Sequence, residues 1–216
     1  MIVGEREKSK PALGKRETAG LSIMIYFIVR NFFKIMRFFL FPFKMVGLKN
    51  VPRQGAFIFA CNHRSYIDPP LIATCYYRPL AFVARSTLFK GILGWFLPRL
   101  NSVPINRESA DVSAIKQTLR NLKKGFPVVV FPEGTRTIDP AKRKVLSGVG
   151  MIAVKSGLPV VPVYIKGTDD VLPPGAKFPK RRPVSVTFGE VMMFSNTKDY
   201  DAVTRQIMDK ILSLEK

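Results

Sequence analysis

Short apolar runs with no polar face recur through this chain, and each breaks into a polar or turn-forming segment. Residues 56–61 follow Gly55 and run into the polar stretch 62–70; residues 80–84, 128–131 and 159–165 repeat the form. Such runs are too short for buried helices and read as strands covered on both sides. Residues 103–105 form a shorter run that ends at Arg107, and residues 184–188 complete the set. Between them lie helical patterns. Pro69 and Pro70 open a helix to about Tyr77, since proline is tolerated in a first helical turn. Val112, Ile115, Leu119 and Leu122 recur at helical spacing, with Gly125 as a stop. Residues 147–156 form a helix closed by Gly157, and Tyr200, Val203, Ile207, Ile211 and Leu214 mark a C-terminal amphipathic helix. Strands alternating with helices predict a single α/β domain with a mixed, partly parallel sheet flanked by helices. In such sheets binding groups gather in the loops after the carboxyl ends of strands.

The domain is expected over residues 49–216, after a basic mobile tail at 1–20 and a helical segment at 21–48. Residues 21–43 are apolar and aromatic but interrupted by Arg30, Lys34 and Arg37. These fall at i, i+4 and i+7 and share one helical face. The segment reads as a helix lying in a membrane interface, cations toward headgroups and aromatics toward acyl chains, ended by Pro42. A core helix packed on its own domain, and a span with snorkelling cations, are the alternatives. A net charge of +20 calls for an anionic partner: lipid, phosphorylated substrate or nucleic acid. Cys61 and Cys75 lack metal-site spacing, and neither a metal nor a cofactor is expected. They read as plain core thiols in a reducing compartment.

His63 is the chain's only histidine. It follows the strand at 56–61, and Asp68 lies five residues downstream. If the linker folds back, the carboxylate orients one ring nitrogen and the other faces a substrate. An imidazole with its ordinary pKa of about 6.5 suits removal of a hydroxyl proton at neutral pH. After the strand at 128–131 comes Pro132-Glu133-Gly134-Thr135-Arg136. Arg136 offers a planar fork of donors to phosphate. Glu133 either accepts from a polyol hydroxyl or holds the arginine. Lys142, Arg143 and Lys144 follow on a loop. A covalent route through Cys61 or Ser65 is the weaker reading, because neither sits in a nucleophile elbow.

These residues resemble the glycerolipid acyltransferases of the 1-acylglycerol-3-phosphate acyltransferase type. The family's Asn-His-x4-Asp motif is matched at 62–68 and its Phe-Pro-Glu-Gly-Thr-Arg motif at 131–136. Its second motif resembles residues 103–107 and its fourth residues 160–163. The resemblance implies that His63, assisted by Asp68, activates an acceptor hydroxyl for attack on an acyl thioester. It implies that Arg107, Glu133, Gly134, Thr135 and Arg136 hold a glycerol phosphate, and that Pro162 serves the acyl-donor side. The co-substrates would be a lysophospholipid and acyl-coenzyme A or acyl-carrier protein. Phosphatidic acid would be the product, and the cytoplasmic face of the cell membrane the location. Asn101, Arg85 and Ser147 depart from the family's usual glycine, lysine and lysine. The alternatives are the same chemistry on glycerol 3-phosphate or another lysophospholipid, and a non-enzymatic nucleic-acid- or lipid-surface-binding protein. No nucleic-acid-binding signature accompanies the charge.

Overall fold

A computed structural model describes residues 15–106, 111–136, 145–173, 176 and 178–215, with side chains from residue 20 onward. The described strands are β1 (Phe43–Val46), β2 (Ile58–Cys61), β3 (Ala81–Arg85), β4 (Val103–Ile105), β5 (Val128–Val130), β6 (Val160–Lys166) and β7 (Val184–Phe188). They form one sheet in the order β1-β7-β6-β2-β5-β3-β4. All neighbouring pairs are parallel except β6 and β7. The mixed sheet read from the sequence is therefore present.

The described helices are α1 (Lys15–Leu40), α2 (Asp68–Cys75), α3 (Gly91–Arg99), α4 (Val112–Lys123), α5 (Gly148–Ser156), α6 (Thr168–Val171) and α7 (Tyr200–Leu212). Alternation along β2 explains how they divide between two layers. Phe59 and Cys61 join a core with Leu71 and Ile72 of α2 and with Tyr26 of α1. Ile58 and Ala60 join Val149 and Ile152 of α5, Leu122 of α4 and Ile207 and Ile211 of α7 on the other face. Strand β2 is buried along its whole length, which is why it reads as an unbroken apolar run.

Helices α5 and α7 cross closely at Gly150. Its N–H donates to Thr204 Oγ1 at 3.0 Å, and that hydroxyl donates to the Tyr200 carbonyl at 2.8 Å. A Cβ at this position would strike both oxygens. Gly150→Val is therefore expected to destabilise the domain by about 1–3 kcal/mol. The check is a lower urea midpoint with an unchanged slope.

Three differences from the sequence reading concern the N-terminal segment. The helix starts at Lys15 rather than Leu21, and residues 43–46 leave it to form edge strand β1 beside β7. Residues 1–14 lie outside the described residues. The charged stripe also faces the other way. Arg30 Nη1 donates to the Tyr77 carbonyl at 2.9 Å, and Arg37 Nη1 to Thr74 Oγ1 at 3.2 Å, at and just beyond the C-terminal end of α2. Arg37 also stacks over Phe43 at 3.9 Å. The negative dipole end of α2 attracts these cations inward. Lys34 stays exposed. What α1 shows to the outside is Met24, Ile28, Phe32, Ile35, Phe38 and Phe39. Among the described residues, no helix is long and apolar enough to cross a membrane.

The departure at Asn101 has a local cause. Its φ is +55°, in the left-handed region. Glycine enters that region freely, and asparagine is one of the few other residues that tolerates it.

Candidate active site

Strands β2 and β5 are parallel neighbours in the register Ala60↔Val130. Three residues further along each, the chain carries His63 and Glu133. Continuing the register sets these two side by side as the strands leave the sheet. The His63 N–H points at Glu133 Oε2 at 3.4 Å, and both residues are buried. Glu133 thus turns inward to the backbone of the histidine segment.

Asn62 makes the exit from β2 possible. Its Nδ2 donates to the Ile165 carbonyl at 2.8 Å, and its Oδ1 accepts from the Ile165 N–H at 2.7 Å. The side-chain amide thereby replaces one step of backbone pairing with β6. The main chain can then turn away from the sheet while Ile165 stays satisfied. The sequence gives Asn62 only as part of a motif, and nothing local reveals a partner 103 residues away.

The turn after His63 closes around Asp68. Asp68 Oδ2 accepts from His63 Nδ1 at 2.8 Å and from the N–H groups of Arg64 and Ser65, each at 2.8 Å. Asp68 is fully buried at the first position of α2. A carboxylate can only accept, so it holds the proton of the neutral imidazole on Nδ1 and leaves the Nε2 lone pair free. Phe131 lies against the ring, centroids 4.2 Å apart and planes at 26°. Contact on one face and a hydrogen bond at one edge fix the imidazole.

Phe131 also lines a cavity of about 420 Å³ beyond it. Val83, Ile105, Ile115, Leu146 and Ile152 are among its walls, between the β3–β4–β5 end of the sheet and α4 and α5. Asp111 sits at its rim. The carboxylate accepts from the N–H groups of Asn106 and Ala114 and from the Ser113 hydroxyl. These bonds, the one from Asn106 foremost, pull its pKa down to about 2. Ser147 borders the same cavity.

The remaining sequence candidates are dispersed. Gly134, at φ +63°, closes the turn by donating to the Phe131 carbonyl at 3.0 Å, and a Cβ there would strike Leu146. Thr135 and Arg136 are exposed. The Arg136 guanidinium lies 3.4 Å above the centre of the Tyr66 ring, inside the histidine–aspartate segment. Pro162 is buried in β6 opposite Ala60 and lines neither this cavity nor the smaller one between α1 and α2. Arg107, Lys142, Arg143 and Lys144 lie outside the described residues. Cys61 and Cys75 are free and buried. Burial, then the nearby Asp68 and Cys75, hold the Cys61 thiol well above its usual range, which argues against a thiolate nucleophile. Ser65 is buried too, its hydroxyl donating to the Leu172 carbonyl at 3.4 Å. Among the described residues no cluster of His, Cys, Asp and Glu is arranged to hold a metal ion.

The profile of the family described as Acyltransferase matches residues 42–166, more than half of the chain. The chain is similar to the chloroplastic 1-acyl-sn-glycerol-3-phosphate acyltransferase of Arabidopsis thaliana. Identity is 28% over 156 residues, covering 70% of this chain but 44% of the relative. Against the enzyme of that name from Bacillus subtilis, identity is 29% over 151 residues, with 68% and 72% covered. The crystal structure of the 1-acyl-sn-glycerophosphate acyltransferase of Thermotoga maritima superposes with a TM-score of 0.70. There the identity is 30%, over 94% of this chain and 84% of that one. The chain spans less than half the length of its plant relatives.

Proposed function

Because the chain belongs to the acyltransferase family, we propose that it moves a fatty acyl group from an acyl thioester to the free hydroxyl of 1-acylglycerol 3-phosphate, giving phosphatidic acid. The reading rests on one observation above the others. In the buried His63–Asp68 pair the imidazole stacks on Phe131, and Phe131 in turn lines an apolar cavity. His63 Nε2 takes the hydroxyl proton as the oxygen attacks the thioester carbonyl carbon. Asp68 stabilises the imidazolium that forms. The C–S bond then breaks, and the imidazolium returns the proton to the leaving thiolate. The cavity, within the usual size range of ligand pockets, takes the acyl chain.

Arg136, held flat on Tyr66, is the group we assign to the acceptor phosphate, with Arg107 as a second contact. Glu133 and Gly134 shape the turn that presents Arg136 and Thr135. The apolar outer face of α1 rests on a membrane, on the cytoplasmic side as the family suggests. The +20 charge favours its anionic headgroups over nucleic acid.

The test is acyl transfer from acyl-coenzyme A and from acyl-carrier protein to 1-acylglycerol 3-phosphate, with glycerol 3-phosphate as the competing acceptor. Phosphatidic acid from the first acceptor is expected; product from glycerol 3-phosphate alone would reassign the substrate. Arg136→Ala is expected to raise KM for the phosphorylated acceptor about 10- to 100-fold while changing kcat less. An unchanged KM removes the phosphate role.

A further inference from the structure

Helix α3 has no evident reason to be where it is if water surrounds it. Its sequence is apolar on every side except for Arg99, yet none of its residues is buried in the domain. Ile92 is 78% exposed, Leu93 53% and Trp95 50%, and Leu88 just before the helix is exposed as well. A helix that is apolar all round needs an apolar environment, from a protein core or from lipid.

The position of α3 identifies which. It packs beside α1, whose outward face is also apolar. It follows β3, which runs parallel to β5 and through it to β2, so the chain enters α3 from the end of the sheet that carries His63. Exposed Lys90 precedes the helix and Arg99 ends it. The Arg99 guanidinium lies 3.9 Å over the Trp95 ring and donates to the Trp95 carbonyl at 2.6 Å. Tryptophan flanked by cations suits the boundary between acyl chains and acidic headgroups. A second copy of the chain is a poor cover, since both copies would bring a net charge of +20. Residues 1–14 are a poor cover too, because charged and small residues dominate them.

We propose that α3 is a second membrane-inserting element, carrying Ile92, Leu93 and Trp95 into the interface of an anionic bilayer beside α1. The two helices together hold the His63 end of the sheet against the lipid, where an acceptor with an acyl chain resides. The inference rests on the membrane reading of α1 and is independent of the reaction. Gly94 makes the element firm, because a Cβ there would strike the Phe89 carbonyl that packs against the helix start.

Trp95 is the chain's only tryptophan, so its emission reports on α3 directly. The full chain is mixed with vesicles of phosphatidylglycerol and phosphatidylcholine, with and without bromine on the acyl chains. A blue shift of the emission and its quenching by bromine are expected. Ile92→Asn, at an exposed position, is expected to lower vesicle partitioning about tenfold and to leave turnover of a micellar acceptor unchanged. Sedimentation with vesicles while Trp95 stays unshifted and unquenched overturns the role of α3 and leaves that of α1. Absence of sedimentation overturns both. A shift that grows with protein concentration without lipid assigns the surface to a second copy and also overturns the proposal.

Discussion

His63→Gln is expected to lower kcat/KM for acyl transfer to 1-acylglycerol 3-phosphate by about 10²- to 10⁴-fold, the range general-base catalysis supplies. No second histidine exists to take over. The fold should survive, because the turn is held separately by Arg64 and Ser65 N–H donation to Asp68. Circular dichroism and the urea midpoint provide that control. Asp68→Asn should lose activity on a similar scale for a different reason. An amide can turn its NH2 toward the ring and favour the wrong tautomer, and it cannot offset the imidazolium charge. Equal turnover in wild type and His63→Gln would remove His63 from the chemistry.

The largest loss of stability is expected at Asn62. In Asn62→Ala the N–H and C=O of Ile165 lose their partner 103 residues away. Each buried backbone group left unpaired costs about 1–3 kcal/mol, so about 2–6 kcal/mol is expected for the two. A domain with about 5–15 kcal/mol in total would lose a large share. Asn62→Asp keeps an acceptor for the Ile165 N–H but sets a buried carboxylate oxygen against the Ile165 carbonyl, and should be no more stable than Asn62→Ala. Urea unfolding of the three proteins measures this order. A midpoint for Asn62→Ala equal to wild type would show that the amide bridge does not hold the end of β2. Activity should fall with stability here, since His63 is the next residue.

The parts of this protein legible in the sequence are those fixed by near neighbours. Buried strands announce themselves because every side chain in them must be apolar. The His63–Asp68 pair spans five residues, and the carboxylate closes its own turn on Arg64 and Ser65. Helix α7 shows its buried stripe at helical spacing, whereas in α4 the periodic Val112 is exposed and the buried face is Ala114, Thr118 and Leu122; Asp111 and Asp199 cap the two helices. Strand β1 is harder to see, because Phe43–Val46 continues the apolar, basic composition of α1 and lacks an alternating pattern. Helix α3 is short and carries Gly91, Gly94 and Pro98, all signals against a helix.

Tertiary structure alone decided the rest. Glu133 meets the His63 backbone only because β2 and β5 pair in one particular register, and a one-residue slip would turn both segments over. Arg30 and Arg37 share a face that hydropathy assigns to lipid headgroups. They turn inward because the end of α2 lies beneath them, where the Thr74 hydroxyl and, just beyond the helix, the Tyr77 carbonyl accept from them. Phe131 reads as the last residue of a strand, and only the packed site makes it both the wall of a cavity and the surface against the imidazole. The sequence by itself determined which chemical groups are present and which local turns they close. Where distant groups face one another depends on strand register and helix docking, which are set by the burial of the whole domain at once.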